Sequence, residues 1–221
     1  MGVFDIVGPV MIGPSSSHTA GAARLGKIAR EIAEDQITEV EFLLHGSFAE
    51  TYKGHGTDRA LVAGILGFDP WDDRLIDSLS IASKKNILIK FTKTDLGDVH
   101  PNTVKFIIKR SDNKIVKIQG SSIGGGIVNI TKIDDQDVDF NGDYPTLIIE
   151  HIDKAGIISK VTEILYHHGI NIAFMKVFRD KRGENAMMIL EIDDQLDDKI
   201  IDDINKVDNI QSVRFLRGID I

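Results

Sequence analysis

Four short stretches of the chain hold side chains able to do chemistry. The first runs Gly13-Pro-Ser-Ser-Ser-His-Thr-Ala-Gly21. Ser15, Ser16, Ser17, His18 and Thr19 stand there just ahead of an Ala/Leu/Ile pattern at helical spacing. A helix start leaves backbone N–H groups without partners and carries partial positive charge, which favours an anion such as a carboxylate. Hydroxyls add short donors, and an imidazole donates, accepts or takes a proton near neutral pH. Capping by one Ser or Thr accounts for part of such a run. Three serines, Thr19 and His18 exceed what one cap requires.

The second stretch is His45-Gly-Ser-Phe-Ala-Glu-Thr-Tyr-Lys-Gly-His-Gly-Thr-Asp58. It follows a strand-like segment and precedes a helical one, where α/β proteins often carry ligand loops. His45, Ser47, His55, Thr57 and Asp58 are its candidate binding residues, and its glycines let backbone approach a ligand closely. His45 and His55 are not at helical i, i+4 spacing, and no metal site is expected within this chain. The third stretch, His100-Pro-Asn-Thr103, reads by itself as turn chemistry. The fourth, Gly120-Ser-Ser-Ile-Gly-Gly-Gly126, lacks both the Lys-Ser/Thr end of a phosphate loop and the spacing of a dinucleotide fingerprint, so no nucleotide site is expected. No lysine stands in a setting that marks a Schiff base, so pyridoxal phosphate is not expected either. Together these residues describe a hydroxyl- and imidazole-lined site for a small anion.

The elements that must position them are mixed. Thr19–Glu34 reads as a helix, Glu39–His45 as a strand, and Asp58–Leu66 as a helix entered through a Thr57-Asp58 cap. Pro70–Asp73 reads as a turn, and Lys85–Lys93, Thr103–Arg110, Lys114–Gln119 and Ile127–Ile133 as strands. The pattern gives an α/β or α+β domain without giving its topology. Asp134, Asp135, Asp137, Asp139 and Asp143 crowd one stretch, and like charges at that density favour a solvated linker. The domains are therefore expected at 1–142 and 143–221. After the boundary, Thr146–His151, Ile157–His168, Ile170–Arg179, Ala186–Ile192, Asp197–Val207 and Gln211–Leu216 alternate as βαββαβ, a ferredoxin-like unit, with Asp180–Gly183 as a hairpin turn.

Bulk properties narrow the classes. The 221 residues carry 26 Lys+Arg against 34 Asp+Glu, net −8, with no basic stripe, so nucleic acid is not an expected partner. Apolar runs stay short of the ~18 to 20 residues of a membrane span, and no basic segment precedes the N-terminal apolar stretch, so neither a span nor a signal peptide is expected. There is no cysteine. That excludes disulfides and any thiolate ligation of zinc or of an iron–sulfur cluster by this chain itself. It fits a reducing, cytoplasmic location.

Phe4-Asp-Ile-Val-Gly-Pro-Val-Met-Ile-Gly-Pro-Ser-Ser-Ser-His-Thr-Ala-Gly21 closely resembles the opening of iron–sulfur-dependent L-serine dehydratases. His45-Gly-Ser-Phe-Ala, Gly54-His-Gly-Thr-Asp58, His100-Pro-Asn-Thr103 and Ser122-Ile-Gly-Gly-Gly126 resemble later signatures of that family. The C-terminal unit resembles an ACT domain, with Asp153, Ala155 and Gly156 at its effector loop. The resemblance implies an N-terminal domain akin to the allosteric substrate-binding domain and a β subunit of a two-subunit enzyme. Its α partner would hold a 4Fe-4S cluster, and L-serine would be converted to pyruvate and ammonia. An iron acting as Lewis acid would help the hydroxyl leave. His18 and His55 would be the catalytic or proton-handling residues, and the Ser15–Thr19 loop would grip the substrate. ACT-mediated homo-dimerisation is a further implication. The alternative is a non-catalytic amino-acid-binding module, as in some phosphoglycerate dehydrogenases that carry a similar domain beside an ACT domain.

Overall fold

The computed structural model describes residues 10–34, 36–179 and 181–218. Phe4–Pro9 of the opening motif and Asp180 of the expected hairpin turn lie outside the described residues. The chain divides between Asp135 and Gln136 into two compact units.

In the first unit the functional loop enters a π-helical turn, Ser16–Gly21, which runs on into α1, Ala22–Ala33. There follow β1 (Ile37–Leu44), α2 (Gly46–Thr51), α3 (Thr57–Ile65), a 3-10 turn (Asp73–Asp77), α4 (Ser78–Lys84) and β2 (Leu88–Lys93). β3 (Thr103–Arg110), β4 (Ile115–Gly124) and β5 (Ile127–Ile133) complete it. The strands run in the order β2-β1-β3-β4-β5. β1 and β2 are parallel and the other neighbours antiparallel. A parallel pair needs a long crossover, and α2, α3 and α4 provide it. The His45–Asp58 stretch therefore begins where β1 ends, at the carboxyl edge where open α/β sheets place ligands.

Period-two burial fixes the sheet's inner face. Val40, Phe42 and Leu44 of β1, Val104, Phe106 and Ile108 of β3, and Val116 and Ile118 of β4 are buried. Leu25, Ile28 and Ile32 of α1 are buried along one helical stripe. α1 crosses α3 backbone to backbone: a Cβ on Gly64 would overlap the Ala23 carbonyl, and one on Gly26 the Leu61 carbonyl.

The second unit holds β6 (Gln136–Phe140), β7 (Thr146–Ile152), α5 (Ile157–His167), β8 (Ile172–Arg179), β9 (Asn185–Ile192), α6 (Asp198–Asn205) and β10 (Ile210–Leu216). From β7 onward this is the expected βαββαβ order, in an antiparallel sheet β10-β7-β9-β8. Leu147, Ile149, Val161, Leu165, Leu190 and Ile204 form its core with their neighbours. Among the described residues no helix is long and apolar enough to cross a membrane.

Several sequence expectations need correction. The acidic stretch is not a bare linker. Val138 and Phe140 are buried while Asp137 and Asp139 point outward, the alternation of a strand. Asp134 and Asp135 form a turn with positive φ. There Asp134 accepts the Lys117 amide and Asp135 meets Lys105 and Lys117. Opposite charges from the sheet thus offset the mutual repulsion. Thr57-Asp58 does not cap α3. The cap is Gly56 at φ 70°, and Asp58 accepts the backbone N–H of its neighbour Arg59. The 45–58 stretch is not all loop, because α2 occupies its first half. Helical structure begins at Ser16 rather than Thr19, and β4 runs on to Gly124.

Candidate functional site

The fold gathers the four stretches at one end of the first sheet. His45 N–H donates to the Thr103 carbonyl and Phe48 N–H to that of Pro101. Gly46, at φ 54°, lies so close that a Cβ there would come within 2.6 Å of the Pro101 carbonyl oxygen. Ser122 N–H donates to the Asn102 carbonyl, and Asn102 Nδ2 returns a bond to the Ser122 carbonyl at 3.4 Å. The Ser122 side chain occupies the space a Cβ on Gly21 would need. Arg24 Nη1 reaches the Gly126 carbonyl at 2.9 Å, tying the glycine turn to α1.

At the centre are two imidazoles. His18 is 9% exposed, and its ring meets that of His55 edge to face with centroids 4.7 Å apart. Phe48 closes another side at 5.2 Å. His18 Nε2 lies 3.1 Å from Ser47 Oγ, and Nδ1 lies 3.4 Å from Ser15 Oγ. Desolvation lowers the pKa of His18, the neighbouring His55 lowers it further, and a hydrogen bond with Ser47 opposes both. His18 is therefore a neutral imidazole at pH 7, able to accept a proton.

The π-helical turn explains how His18 comes to face Ser47. Ser15 caps it, its Oγ accepting the His18 N–H and its carbonyl the Thr19 N–H. A wide turn of this kind shifts side chains out of ordinary helical phase, and such turns are frequent at functional sites. The same bonds engage two of the helix-start amides expected to meet an anion.

A cavity of about 260 Å³ opens beside this pair. Gly13, Pro14, Thr19, Lys53, Gly54, His55, Gly56 and Arg59 line it, with Ile12, Leu75 and Ile76 as its apolar wall. His55 is exposed on this wall, while His18 packs behind it. Thr19 is 1% exposed and its hydroxyl has no partner among the described residues.

The other expected residues are placed differently. Thr57 is fully buried at the start of α3, its hydroxyl without a partner among the described residues. Burial pushes the Asp58 carboxyl up, against the Arg59 amide and the charges of Arg59 and Lys53. His45 turns away from the pair: its Nδ1 accepts the Leu96 N–H at 3.1 Å and lies 3.5 Å from Asp95. Ser16 and Ser17 are half-buried beside Ser15. Sequence reasoning did not single out Lys53 and Arg59 as site residues, nor Asn102 and Ser122, whose side-chain oxygens are buried without partners. The only signal for the two cations was their position flanking Gly54-His-Gly-Thr57.

In the second unit, Gly156 at φ 92° starts α5 without a side-chain cap, next to the exposed Ala155. The Gly183 amide and then Arg179 hold the Asp153 carboxyl below its usual range. Among the described residues no group of three His, Asp or Glu side chains forms a metal site.

The fold and this site define a two-unit α/β protein with an imidazole–hydroxyl centre and an appended ferredoxin-like unit. A family model described as "Serine dehydratase beta chain" matches residues 2–86, and one described as "ACT domain" matches residues 146–209. The protein of Bacillus subtilis described as "Probable L-serine dehydratase, beta chain" is 44% identical over 96% of each chain. The L-serine dehydratase β chain of Peptoniphilus asaccharolyticus is 40% identical, again over 96% of each. A D-3-phosphoglycerate dehydrogenase of Methanocaldococcus jannaschii is 30% identical over 87% of this chain but only 36% of its own length. The chain belongs to the L-serine dehydratase β-chain family.

Proposed function

We propose that this chain is the β subunit of an L-serine ammonia-lyase, which converts L-serine to pyruvate and ammonia together with an α subunit. The observation that carries the reading is the buried, neutral His18 packed edge to face against His55 at the wall of a small cavity. His55 is the imidazole that reaches a substrate in that cavity. His18, held between Ser15 and Ser47, orients it and offers a neutral ring rather than a second cation. Such a pair suits the removal of a proton α to a carboxylate. Thr19 of the Ser15–Thr19 loop lines the same cavity as His55 and brings the loop to the substrate, with Ile12, Leu75 and Ile76 on an apolar side.

The residues of this chain do not fit a 4Fe-4S cluster as ligands, since it has no cysteine and no clustered alternative among the described residues. In this reading the cluster belongs to the α subunit. Asp153, Ala155 and Gly156 form the effector loop of the ACT domain. Phe174, Met175 and Val177, exposed on the edge strand β8, support its homo-dimerisation.

The test is anaerobic co-expression with a cysteine-bearing α chain and an assay for pyruvate from L-serine. The pair is expected to be active and each chain alone inactive. His18→Ala in an assembled pair is expected to lower turnover up to about 100-fold, by releasing the proton-handling His55 that it orients. Unchanged turnover with assembly intact counts against the assignment. The length match to dehydratase β chains favours this reading over a purely regulatory module.

A further inference from the structure

Two cations face the cavity, and among the described residues no carboxylate forms an ion pair with either, although both act on Asp58 from a distance. Lys53 and Arg59 both line it. Among the described residues neither side chain makes a hydrogen bond or an ion pair; the Lys53 ammonium sits 5.8 Å from the Tyr52 ring centroid. Lys27, Arg74, Lys90, Lys105 and Lys117 of the same unit each meet an acid; Lys84, Lys85 and Lys109 are without one among the described residues as well, but they do not line the cavity. The chain carries 34 acidic residues against 26 basic ones, so carboxylates are not scarce. The nearest in sequence, Asp58, turns its Oδ1 to the Arg59 backbone instead.

A second feature points the same way. Thr19, almost wholly buried, lines the cavity, and its Oγ1 has no partner among the described residues. A buried hydroxyl left without a partner is costly, and a ligand oxygen would satisfy it. Gly13, at φ 140°, packs directly against this side chain, since a Cβ there would come within 2.5 Å of Oγ1. The amides of His18 and Thr19 are engaged by Ser15, so they supply no anion contact of their own. The volume, about 260 Å³, lies below the roughly 300–1,000 Å³ of sites for drug-sized ligands. The rest of the wall is His55, the glycines and Pro14, and the apolar Ile12, Leu75 and Ile76. The ligand that fits has one anionic end and a short body.

We infer that Lys53 and Arg59, with the Thr19 hydroxyl between the cavity and the π-helical turn, form a carboxylate anchor that selects small monocarboxylates. The inference rests on the reading above in one respect: it makes this cavity the seat of serine's carboxylate. The anchor accounts for an orientation as well. With the carboxylate held by Lys53 and Arg59, the α-carbon is turned toward the His55 wall, the one titratable ring lining the cavity. Charge-assisted bonds of this kind are the strong ones, and an Arg presents them as a planar fork.

The experiment is equilibrium binding followed through the imidazole resonances of His55 in the full chain, repeated on the reconstituted pair. The probes are L-serine, 3-hydroxypropionate (no amino group) and L-serinamide (no carboxylate). The first two are expected to bind and shift those resonances, and L-serinamide is expected to bind at least about tenfold more weakly. Arg59→Gln and Lys53→Gln are each expected to weaken serine binding at least about tenfold, with Arg59→Lys recovering part of it. Both side chains are exposed, so the variants are expected to keep the wild-type melting temperature. L-serinamide binding as tightly as serine, serine binding unaltered in both Gln variants, or no binding of any probe overturns the anchor. The two readings fail separately. If small carboxylates bind with this dependence but the pair forms no pyruvate, the anchor stands and the catalytic reading falls. If pyruvate forms with an unchanged KM in both Gln variants, the anchor falls and the catalytic reading stands.

Discussion

His18 makes the first unit sensitive to acid. In the unfolded chain its imidazole titrates near 6.5; in the fold desolvation and then His55 lower that value. Below about pH 6.5 the unfolded chain binds a proton that the folded chain resists, so stability falls as pH falls. His18→Gln removes this contribution. At pH 7.5 it is expected to cost about 1 kcal/mol through the lost hydrogen bond with Ser47. The gap to wild type then narrows as pH is lowered through 6.5, which urea midpoints across the range will measure. Asp135 behaves oppositely. Its hydrogen bonds from Lys117 and then Lys105 hold its pKa at about 2. Its contribution is present above pH 3.8 and lost as pH falls toward 2. It is half-exposed, so Asp135→Asn is expected to cost less than about 1 kcal/mol at neutral pH.

At the scale of elements, the site depends on how closely α1 and α3 approach, because each begins at the cavity. Ser16–Gly21 leads into α1, and Gly54–Gly56 into α3. Gly26 and Gly64 allow the two backbones to touch. Alanine normally stabilises a helix interior relative to glycine by roughly 1 kcal/mol. Gly64→Ala is expected to do the reverse, destabilising by about 1–3 kcal/mol or more because its methyl meets backbone that cannot rotate away. Thermal melts will show the sign, and serine turnover of the reconstituted pair is expected to fall with it. These contacts also show where sequence reading stopped. The βαββαβ unit was legible because its elements carry clear local signals, the helical period of Ile157, Val161 and Leu165 on α5 and the short, continuously buried apolar run 186–190 on β9. α2 and α4, of 6 and 7 residues, are too short for a helical period to emerge. β6 was hidden by its aspartates, although Val138 and Phe140 alternate with them. In the site, the residue types of the Ser15–Thr19 loop were legible as anion chemistry. The pairing of His18 with His55 and with Ser47 was not, since it depends on a crossover that brings distant stretches together. His45, similar in type and neighbourhood to His55, is turned to Leu96 by the end of β1, and nothing in its spacing announces that.

At the scale of the whole molecule, the two units carry separate cores. Leu61, on α3, is fully buried within the first, and Leu165, on α5, within the second. Neither side chain lines the cavity. Removing either to Ala is expected to cost about 2–5 kcal/mol of the stability of the unit that holds it. If the cores are independent, calorimetry will resolve two transitions. Leu61→Ala will lower the one belonging to the first unit, and Leu165→Ala the other. Ligand linkage assigns them: a small carboxylate bound to the folded first unit raises only that unit's transition. Leu165→Ala is therefore expected to leave KM for serine in the reconstituted pair unaltered below its melting temperature, while Leu61→Ala shortens the temperature range over which any turnover survives. A single transition shifted equally by both substitutions would instead mean that the division at Asp135 separates contacts without separating cooperativity. In that case an effector on the second unit could reach the cavity through global stability alone, and activity near the melting point would track its occupancy.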